Sequence, residues 1–416
     1  MDLLSGRQDN QQGVGCAHCL SKLVKYGVKT LNSFILKIKK RLATVSAFFL
    51  CRKINSVMPA YDVAFFVVRP FQETFIRTAL EFLAPEYRVA LLRDTGRKNA
   101  DGDWQDPPDM VDVYNISTWA LPFLRVPVFV TPETAPRRSR LPACQYAVHI
   151  PHSPVSLHMI YPEGNFMAFD CLMAVGEHHE QEFRLIHDRN DQISVFPAGY
   201  GRMDILKKEY DMWRKSKDDP ARENICVTIA PSWHEGNIIE GIGLELTERL
   251  LALGYYVIVR PHYKTAELKP DIIEQYRQRF SGKDNFFLDI AGKDNKSVLK
   301  ADILVSDYSG VAYEYAFLTN RPVLFVDGVK KVRNENWKAI RTQPLEMSLR
   351  NQIGLVVAAD CDKLLQAILD LQEPSDKFGR KITEARERFC YNFEEGAGKS
   401  IAKYVRHLIV QSASEP

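Results

Sequence analysis

Residues 301–317 read ADILVSDYSGVAYEYAF, a pattern that predicts a strand followed by a helix. The apolar run at 303–305 is typical of a buried parallel strand, and a helical apolar repeat begins at Val311. The turn between them contains Asp307, Ser309 and Gly310. The first N–H groups of a helix have no partner inside it and favour an anion, which predicts a phosphate site at Ser309 and Gly310. Alternatively, Asp307 and Ser309 only cap the helix.

The same alternation of short apolar runs and amphipathic stretches extends over the chain from Tyr61. Such alternation is typical of parallel βαβ units and predicts an α/β fold with two Rossmann-like halves. In the first half we expect a helix over 71–83 and strands over 63–68, 87–92, 111–114, 126–130, 146–150, 171–175 and 193–197. In the second half we expect helices over 238–253, 269–280 and 311–318 and strands over 224–230, 255–260, 286–289, 303–306 and 322–326.

The length of the chain also indicates two domains, because 416 residues exceed the usual size of one hydrophobic core. A stretch dense in charge that contains Pro220 predicts the linker between them. We expect an N-terminal segment at 1–57, a first Rossmann-like domain at 58–210, the linker at 211–223, a second Rossmann-like domain at 224–375, and C-terminal helices at 376–416 that pack back across the domains.

The composition, with 45% hydrophobic and 26% charged residues, excludes wholesale disorder and a polytopic membrane protein. The eight cysteines are scattered, mostly in apolar contexts, which indicates buried thiols in a reducing compartment. Cys16 and Cys19 have the spacing that opens a zinc knuckle, but no second pair follows at finger distance. We therefore expect no metal site.

Positive charge is concentrated in the N-terminal segment. Residues 1–57 contain ten Lys and Arg against two Asp, a balance of +8, whereas the whole chain carries +3 and the remainder therefore about −5. Apolar residues three and four apart predict a basic amphipathic helix at 20–49, which charges interrupt before it could span a bilayer. Such a helix suits an anionic membrane surface, with packing on a domain or partner chain as the alternative. The acidic remainder argues against a nucleic-acid partner.

Ligand sites in parallel α/β sheets lie at the carboxyl ends of strands, and the strand at 146–150 ends in an unusual sequence. Three histidines fall within ten residues there, His149, His152 and His158, together with Ser153 and Ser156. A histidine can accept a proton from a hydroxyl near neutral pH, and serines can position phosphate or hydroxyl groups. We expect one of the three to be functional, although single histidines are more often structural.

Two other regions place polar groups at strand ends. In GYGRMD (199–204), Arg202 offers a forked donor and Asp204 could cap the next segment, although an ordinary turn would use both similarly. In the second half, APSWH (230–234) contains Ser232, and RPHY (260–263) contains Arg260 and His262. Arg260 and His262 at one sheet edge would suit a diphosphate, with a pair of exposed turns as the alternative.

Together these residues resemble the motifs of CDP-glycerol glycerophosphotransferases, the enzymes that build teichoic-acid-type polymers. SDYSG (306–310) with Glu314 downstream resembles that family's Thr/Ser-Asp-Tyr-Ser-Ser motif, and APSW resembles its Ala-Pro-Thr-Trp. Further family segments resemble GYGRMD (199–204), RPH (260–262) and EEGAGKS (394–400). All these motifs follow one another along this chain in the same order as in the family. The resemblance covers about Tyr146 to the end of the sequence. This chain departs from the family's usual residues at 152–154 (HSP for His-Gly-Thr-Pro), Tyr263, Gly310 and Glu314.

The resemblance implies a GT-B architecture, in which two Rossmann-like domains face a cleft. It assigns the acceptor to the first domain and the nucleotide donor to the second, with no metal or other cofactor required. It implies His152 as the catalytic base and Glu314 as the contact to the nucleotide ribose. The donor phosphates would be bound by Arg260, His262, Ser309 and Gly310. Supporting roles fall to Ser153, Ser156, Arg202, Asp204, Ser232 and Asp307.

The implied activity is the transfer of glycerol phosphate, or a related polyol phosphate, from a CDP-activated donor. The acceptor would be a hydroxyl of a saccharide, a lipid-linked primer or a growing surface polymer. The implied location is cytoplasmic, peripheral on the inner face of the cell membrane, with residues 20–49 as the membrane contact. Two alternatives remain open, a nucleotide-sugar glycosyltransferase for surface polysaccharide and a non-catalytic membrane-associated scaffold of the same fold.

Overall fold

The computed structural model describes residues 56, 58–94, 104–187, 193–215, 224–290, 295–373 and 377–414. The predicted amphipathic helix at 20–49 and the Cys16–Cys19 pair lie outside these residues. Most of the predicted linker lies outside them too, although the helix Arg202–Lys215 runs through its first positions. The five cysteines in the described part are free thiols, and four of them are buried.

The N-terminal sheet has seven parallel strands in the order β3-β2-β1-β4-β5-β6-β7. Their bounds are β1 Val63–Val67, β2 Val89–Asp94, β3 Val111–Ile116, β4 Val128–Thr131, β5 Tyr146–His149, β6 Cys171–Ala174 and β7 Ser194–Pro197. The interior strand β1 pairs with β2 through Val63 and Val89 and with β4 through Val63 and Val128. All residues of β1 are buried, as expected for a parallel strand covered on both faces.

The C-terminal sheet has six parallel strands in the order β10-β9-β8-β11-β12-β13. Their bounds are β8 Cys226–Ile229, β9 Tyr256–Val259, β10 Phe286–Leu288, β11 Ile303–Ser306, β12 Val323–Asp327 and β13 Gly354–Ala358. The strand β13 was not predicted. It starts at Gly354 because the backbones approach closely there, and a Cβ at this position would lie 1.9 Å from the Val323 carbonyl oxygen.

The helices differ from the predictions at several ends. The helix expected over 71–83 is a 3-10 helix at Pro70–Phe75 followed by an α-helix at Arg77–Leu83. The helix expected from residue 238 begins at Gly243, whose N–H bonds to the Ile238 carbonyl in a wider turn. The other α-helices are Glu177–His187, Arg202–Lys215, Gly243–Ala252, Tyr263–Leu268, Pro270–Phe280, Lys296–Leu299, Gly310–Thr319, Leu345–Ser348, Arg350–Ile353, Cys361–Gln372, Gly379–Phe389 and Ala397–Ser414. The remaining 3-10 helices are Met58–Ala60, Thr118–Phe123, Arg138–Arg140, Glu163–Phe166 and Trp337–Ala339.

The predicted class of two parallel-sheet α/β domains is confirmed. In each sheet the first strand of the domain is an interior strand, the third in the order. The chain therefore reverses its direction across the sheet beside it, between β1 and β4 and between β8 and β11. Ligands of such sheets bind beyond the carboxyl ends of the strands at these points. Of the helices that the structure describes, none combines the length and apolar character needed to cross a membrane.

The helix Ala397–Ser414 belongs to the N-terminal domain in space, although it follows the C-terminal domain in sequence. It packs against the helix Arg77–Leu83, closely enough that a Cβ on Gly398 would lie 2.1 Å from Thr78 Oγ1. Asp204 caps its first turn by accepting hydrogen bonds from the N–H groups of Ala397 (2.9 Å) and Gly398 (2.7 Å). The first domain is therefore completed by the last described helix.

Candidate functional site

The loops after β5 and β11 meet in the cleft between the domains. A Cβ on Gly310 would lie 3.0 Å from Pro154 Cδ and 3.2 Å from Ser153 Oγ. The turn predicted to bind phosphate therefore lies directly against the loop that contains His152. A larger residue at 310 would require Ser153 and Pro154 to move by a few tenths of an ångström.

The His152 ring is held by a hydrogen bond at each nitrogen. Its Nδ1 lies 3.0 Å from the Pro132 carbonyl oxygen, which can only accept, so Nδ1 carries the proton. The Tyr161 hydroxyl lies 3.1 Å from Nε2 and can donate to it. Burial lowers the pKa of His152 from its ordinary value of 6.5, opposed by the nearby Glu133 carboxylate. At neutral pH the ring is therefore uncharged, with a proton-accepting Nε2.

Four cationic side chains surround His262, and sequence reasoning singled out none of them. They are Arg69, after β1, and Lys264, Lys331 and Arg333 of the C-terminal domain. Burial, reinforced by these cations, lowers the pKa of His262 to about 3. Lys264 and Lys331 also disfavour the charged form of His152, which places both histidines in the same cleft.

The cations are arranged around aromatic rings. The Arg333 guanidinium lies 3.4 Å from the centroid of the Trp233 ring, and the Lys264 ammonium lies 4.0 Å from it. Trp233 stacks on His262 with ring centroids 6.0 Å apart. One of the cations, Arg69, forms an ion pair with Glu267 at 3.3 Å. The carboxylates of Asp307 and Glu133 lie near Lys331 and Lys264, respectively. Burial and mutual repulsion lower the pKa of Lys264, so an anionic ligand would stabilise this cationic cluster.

A signal for Lys331 and Arg333 was present in the sequence. The run KKVR (330–333) follows β12, whose carboxyl end faces the cleft like those of β8, β9 and β11. Ligand sites of parallel α/β sheets lie at the carboxyl ends of strands, and this holds for β12 as it does for the other strands. Lys264 and Arg69 follow β9 and β1 in the same way, each a few residues beyond the strand.

The alternative, in which Asp307 and Ser309 only cap the next helix, does not agree with the structure. Ser309 occupies the N-cap position of the helix Gly310–Thr319, but within the described part of the chain its side chain makes no capping hydrogen bond. Asp307 instead accepts a hydrogen bond from the Ser232 N–H at 2.8 Å, and its other oxygen lies 3.8 Å from His234 Nδ1. Asp307 and Ser232 thus tie the ends of β8 and β11 together, and Ser309 leaves the start of the helix without a side-chain cap.

Arg260 and Glu314 both have partners inside the protein. The Arg260 guanidinium donates to Ser297 Oγ at 2.7 Å and lies 3.4 Å from Asp289. Glu314 Oε1 accepts hydrogen bonds from the Tyr200 hydroxyl at 2.9 Å and from Arg202 Nε at 3.1 Å. The Glu314 contacts cross from one domain to the other. A ligand role for Arg260 or Glu314 would have to coexist with these bonds.

Two further predicted supporting residues connect parts of the fold. Arg202 reaches Asn295 Oδ1 of the C-terminal domain at 2.7 Å. Ser156 accepts a hydrogen bond from the Leu345 N–H at 2.7 Å and donates its own N–H to Glu346 Oε2 at 3.1 Å. Both hold the two domains together, whereas Asp204 caps the last helix. The residues that the structure brings together in the cleft are His152, Ser153, His262, Ser309 and Gly310.

Residues 328–342, called the crossing segment below, pass from the C-terminal domain to the N-terminal one. The N–H groups of Arg333 and Asn334 lie 2.9 and 3.1 Å from the Met159 carbonyl oxygen, and Asn334 Nδ2 donates to the His158 carbonyl at 2.8 Å. Asn334 is buried. The crossing segment thereby fixes Lys331 and Arg333 beside the loop after β5.

A family model described as CDP-Glycerol:Poly(glycerophosphate) glycerophosphotransferase matches residues 166–407. This range contains the predicted site residues from Arg202 to Glu314 but begins after His152. Two curated relatives are named teichoic acid poly(glycerol phosphate) polymerase. The one from Bacillus subtilis (strain 168) is 22% identical over 213 residues, 48% of this chain and 26% of the relative. The one from Staphylococcus epidermidis is 23% identical over 241 residues, 54% of this chain and 31% of the relative. The chain thus spans about a quarter to a third of the length of these relatives.

Solved structures with the same fold include the wall teichoic acid polymerase TagF, with a TM-score of 0.59 at 17% identity, covering 91% of this chain and 99% of that one. A variant of TagF soaked with CDPG has a TM-score of 0.59 at 18% identity, covering 91% of this chain and 99% of that one. UDP-GlcNAc 2-epimerase from Neisseria meningitidis, bound to UDP-GlcNAc, has a TM-score of 0.54 at 14% identity, covering 84% of this chain and 100% of that one. These likenesses show that the chain has the GT-B type of fold.

Proposed function

Since this chain belongs to the CDP-Glycerol:Poly(glycerophosphate) glycerophosphotransferase family, we propose that it transfers glycerol phosphate, or a related polyol phosphate, from a CDP-activated donor. The acceptor is a hydroxyl of a saccharide, a lipid-linked primer or a growing surface polymer. The observation that carries this proposal is the uncharged His152, whose Nε2 can accept a proton in the cleft that also contains the cations around His262.

In the proposed reaction, His152 Nε2 accepts the proton of the acceptor hydroxyl as its oxygen attacks the phosphorus that bears glycerol. A new phosphate ester bond forms to the acceptor, the bond from that phosphorus to the bridging oxygen breaks, and CMP leaves with the bond's electron pair. An alcohol is a poor nucleophile at neutral pH, so a positioned base is needed. Hydrogen-bond donors and cationic side chains stabilise the negative charge that develops on CMP. The proposed reaction uses no metal ion for this purpose.

The donor diphosphate is proposed to bind at the uncapped N-terminus of the helix Gly310–Thr319, with Ser309 and Gly310 as its nearest residues. Lys264, Lys331 and Arg333 supply positive charge on the same side of the cleft, and His262 can donate or accept a hydrogen bond as a neutral ring. Arg260 remains the proposed contact to a phosphate of the CDP donor, and Glu314 the proposed contact to its ribose. Their bonds to Ser297 and Tyr200 would orient them for that purpose.

We keep the proposed division of the chain. It consists of the acceptor-side domain at 58–210, the linker at 211–223, the donor domain at 224–375 and the C-terminal helices at 376–416. We further propose that the enzyme works at the inner face of the cell membrane, with the basic segment at 20–49 as one contact. That segment lies outside the described residues, and its basic amphipathic sequence is the support for this role.

The proposal is tested by incubating the full chain with CDP-glycerol and a hydroxyl-bearing lipid-linked saccharide, followed by phosphorus NMR. Release of CMP with a new phosphodiester resonance is the expected result. A nucleotide-sugar transferase would instead consume UDP- or GDP-sugars and form no phosphodiester. If no CDP-, UDP- or GDP-linked compound raises the melting temperature or is consumed, the scaffold alternative replaces the enzyme.

Donor binding is tested separately by calorimetry with CDP-glycerol on His262→Ala and Ser309→Ala. Both variants should bind the donor more weakly than the parent, since each removes a polar group from the proposed phosphate site. Unchanged affinity in both would remove these residues from the site. The exposed His407, on the far helix Ala397–Ser414, provides the matched control variant His407→Ala.

A further inference from the structure

We propose that Glu133 keeps His152 effective as a base, because its carboxylate stabilises the positive ring that forms when His152 takes the proton of the acceptor hydroxyl. Glu133 lies two residues beyond the end of β4, and the sequence analysis did not assign it to the site. The inference deepens the proposed function and rests on the role of His152 in it. Since Glu133 acts through His152, it is a positioning residue for the reaction.

The strand order places Glu133 next to the loop that contains His152. The strands β4 and β5 are paired, with Thr131 opposite His149, so their carboxyl ends lie side by side. The carbonyl oxygen of Pro132 accepts the hydrogen bond from His152 Nδ1, and the carbonyl oxygen of Glu133 lies 3.3 Å from His149 Nδ1. Glu133 is therefore the direct neighbour of the residue that holds the His152 ring.

The side chain of Glu133 is held by Gln72. The amide oxygen of Gln72 accepts hydrogen bonds from the N–H groups of Val68 (2.7 Å) and Arg69 (3.0 Å). Because the oxygen is used there, the NH₂ group points the other way and donates to Glu133 Oε1 at 2.6 Å. Gln72 is buried. The Glu133 carboxylate is therefore fixed by a donor that cannot easily turn away.

The Glu133 carboxylate faces the cleft between the domains. Burial, together with the Glu133 charge, raises the pKa of Tyr161 and of Tyr263. The same charge favours the protonated forms of His152 and Lys264, whose pKa values burial lowers. Two of these four side chains belong to each domain. The carboxylate thus lies among groups of both domains, beside the base.

Other groups disfavour a positive charge on the His152 ring. Burial is the largest influence that lowers its pKa, and the ammonium groups of Lys331 and Lys264 add to it. The cations proposed to hold the donor phosphates therefore weaken the base beside them. The titratable groups that act on the ring are Glu133, His149, Tyr161, Lys264 and Lys331. Of these five, Glu133 is the one that supplies negative charge.

The effect on the reaction follows from the charge that His152 acquires. When Nε2 takes the proton of the acceptor hydroxyl, the ring becomes a cation, and Glu133 itself gains no proton. Opposite charges attract each other more strongly in a partly buried cleft than in water. Without the carboxylate the ring is a weaker base, and a fall of one unit in the pKa of a base slows proton transfer by up to about tenfold.

Glu133→Gln tests the charge alone, because the side chain keeps its shape and its amide oxygen can still accept the hydrogen bond from Gln72. Single-turnover release of CMP from CDP-glycerol is measured against pH, with the same lipid-linked saccharide as acceptor. We expect the rate at neutral pH to fall roughly tenfold. The midpoint of the acid limb should move to lower pH, because the charged ring is less stable without the carboxylate. A purely structural loss would lower the rate and leave the midpoint in place.

Further readouts separate the charge from general damage. The affinity for CDP-glycerol, measured by calorimetry, should not fall, since Glu133→Gln removes negative charge from a cleft that binds phosphates. Glu133→Asp keeps the charge, and its midpoint should lie closer to that of the parent. The matched control is Glu86→Gln in the same domain, where an exposed side chain just before β2 pairs with Arg406 at 2.6 Å. This control changes the net charge equally and should alter neither the rate nor the midpoint.

A measurement without substrate keeps the inference separate from the proposed reaction. The full chain is isotopically labelled at the nitrogens of its histidine rings, and the His152 signals are identified by their loss in His152→Gln. NMR titration of the free protein should give a lower pKa for His152 in Glu133→Gln than in the parent. If the parent transfers no glycerol phosphate but the titration shows this difference, the pairing of Glu133 with His152 holds and the proposed reaction falls.

Three results would overturn the inference. The first is the same His152 pKa in the parent and in Glu133→Gln. The second is a His152 ring that stays uncharged in both proteins at every pH at which they are folded, since Glu133 then does not keep it a useful base. The third is a raised Michaelis constant for the acceptor with an unmoved acid midpoint, which would make Glu133 a contact to the acceptor instead.

Discussion

At the scale of single residues, two hydrogen bonds determine what His152 can do. The Pro132 carbonyl fixes the proton on Nδ1, and burial keeps the ring uncharged at neutral pH by lowering its pKa. The Tyr161 hydroxyl occupies the position from which an acceptor hydroxyl would donate to Nε2. An acceptor would replace one hydroxyl donor by another, at little cost in hydrogen bonding.

Replacing His152 tests its proposed role as the base. His152→Ala should reduce turnover roughly a hundredfold or more while the dissociation constant of CDP-glycerol stays nearly unchanged, because general bases act on the chemical step. Single-turnover release of CMP and calorimetry measure the two quantities. Full turnover in His152→Ala would exclude it as the base, and His407→Ala serves as the exposed control.

Lys331 offers a similarly direct test of the cationic cluster. Lys331→Gln should weaken CDP-glycerol binding roughly tenfold or more, because a hydrogen bond to a charged group contributes about 1.5–3 kcal/mol. Its neighbour Lys330 is exposed, so Lys330→Gln is a matched control with the same loss of charge. If both variants bind the donor equally well, Lys331 does not contact it.

At the scale of elements, the helix Gly310–Thr319 and the loop after β5 are fitted to each other. The contact is made by Gly310 on one side and Ser153 and Pro154 on the other. The crossing segment closes the same cleft from a third direction through Asn334. The geometry of the site thus depends on three connections rather than on any single strand end.

Gly310→Ala tests this fit. The added Cβ would lie 3.0 Å from Pro154 Cδ and push the loop away, although alanine favours the helix by about 1 kcal/mol, so stability should change little. We expect the specificity constant for CDP-glycerol to fall roughly tenfold or more, since small misplacements of reacting groups are costly. Gly164→Ala is the control, because nothing lies within 4 Å of its Cβ. An unchanged specificity constant in Gly310→Ala would show that the close contact is dispensable.

The sequence predicted most strands because buried parallel strands are apolar runs, and β11 matches its predicted range at both ends. It did not reveal β13, which is half-buried over much of its length, or the helix Arg202–Lys215, whose residues are mostly charged. The hydrogen-bond partners of Glu314 could not be predicted from the sequence either. Tyr200 and Arg202 are more than a hundred positions away in the chain, and no local pattern records such a contact.

At the scale of the whole molecule, buried uncharged histidines make stability depend on pH. Burial lowers the pKa of His149 from 6.5 to about 3, and that of His262 to the same value. The unfolded chain therefore binds more protons than the folded one between these limits. The stabilisation of the folded state that comes from the two uncharged histidines is complete above pH 6.5 and is lost as the pH falls toward 3.

Chemical denaturation at about pH 7 and about pH 5 measures this effect. The free energy of unfolding should be lower at the acid pH, with His149 contributing up to roughly 1.4 kcal/mol per pH unit. His149→Phe should reduce the slope, and its ring would pack with Phe166 and Phe169, whose centroids lie 5.1 and 5.2 Å from that of His149. The same slope in parent and variant would contradict the assignment.

The helix Ala397–Ser414 has a consequence for how the protein is made. Because this helix covers Arg77–Leu83 and is capped by Asp204, the N-terminal domain cannot complete the burial of its core before the helix has been synthesised. The apolar side chains that this helix covers stay exposed throughout synthesis of the C-terminal domain. Completion of the first domain therefore waits for the last described helix, and until then this apolar surface is open to aggregation.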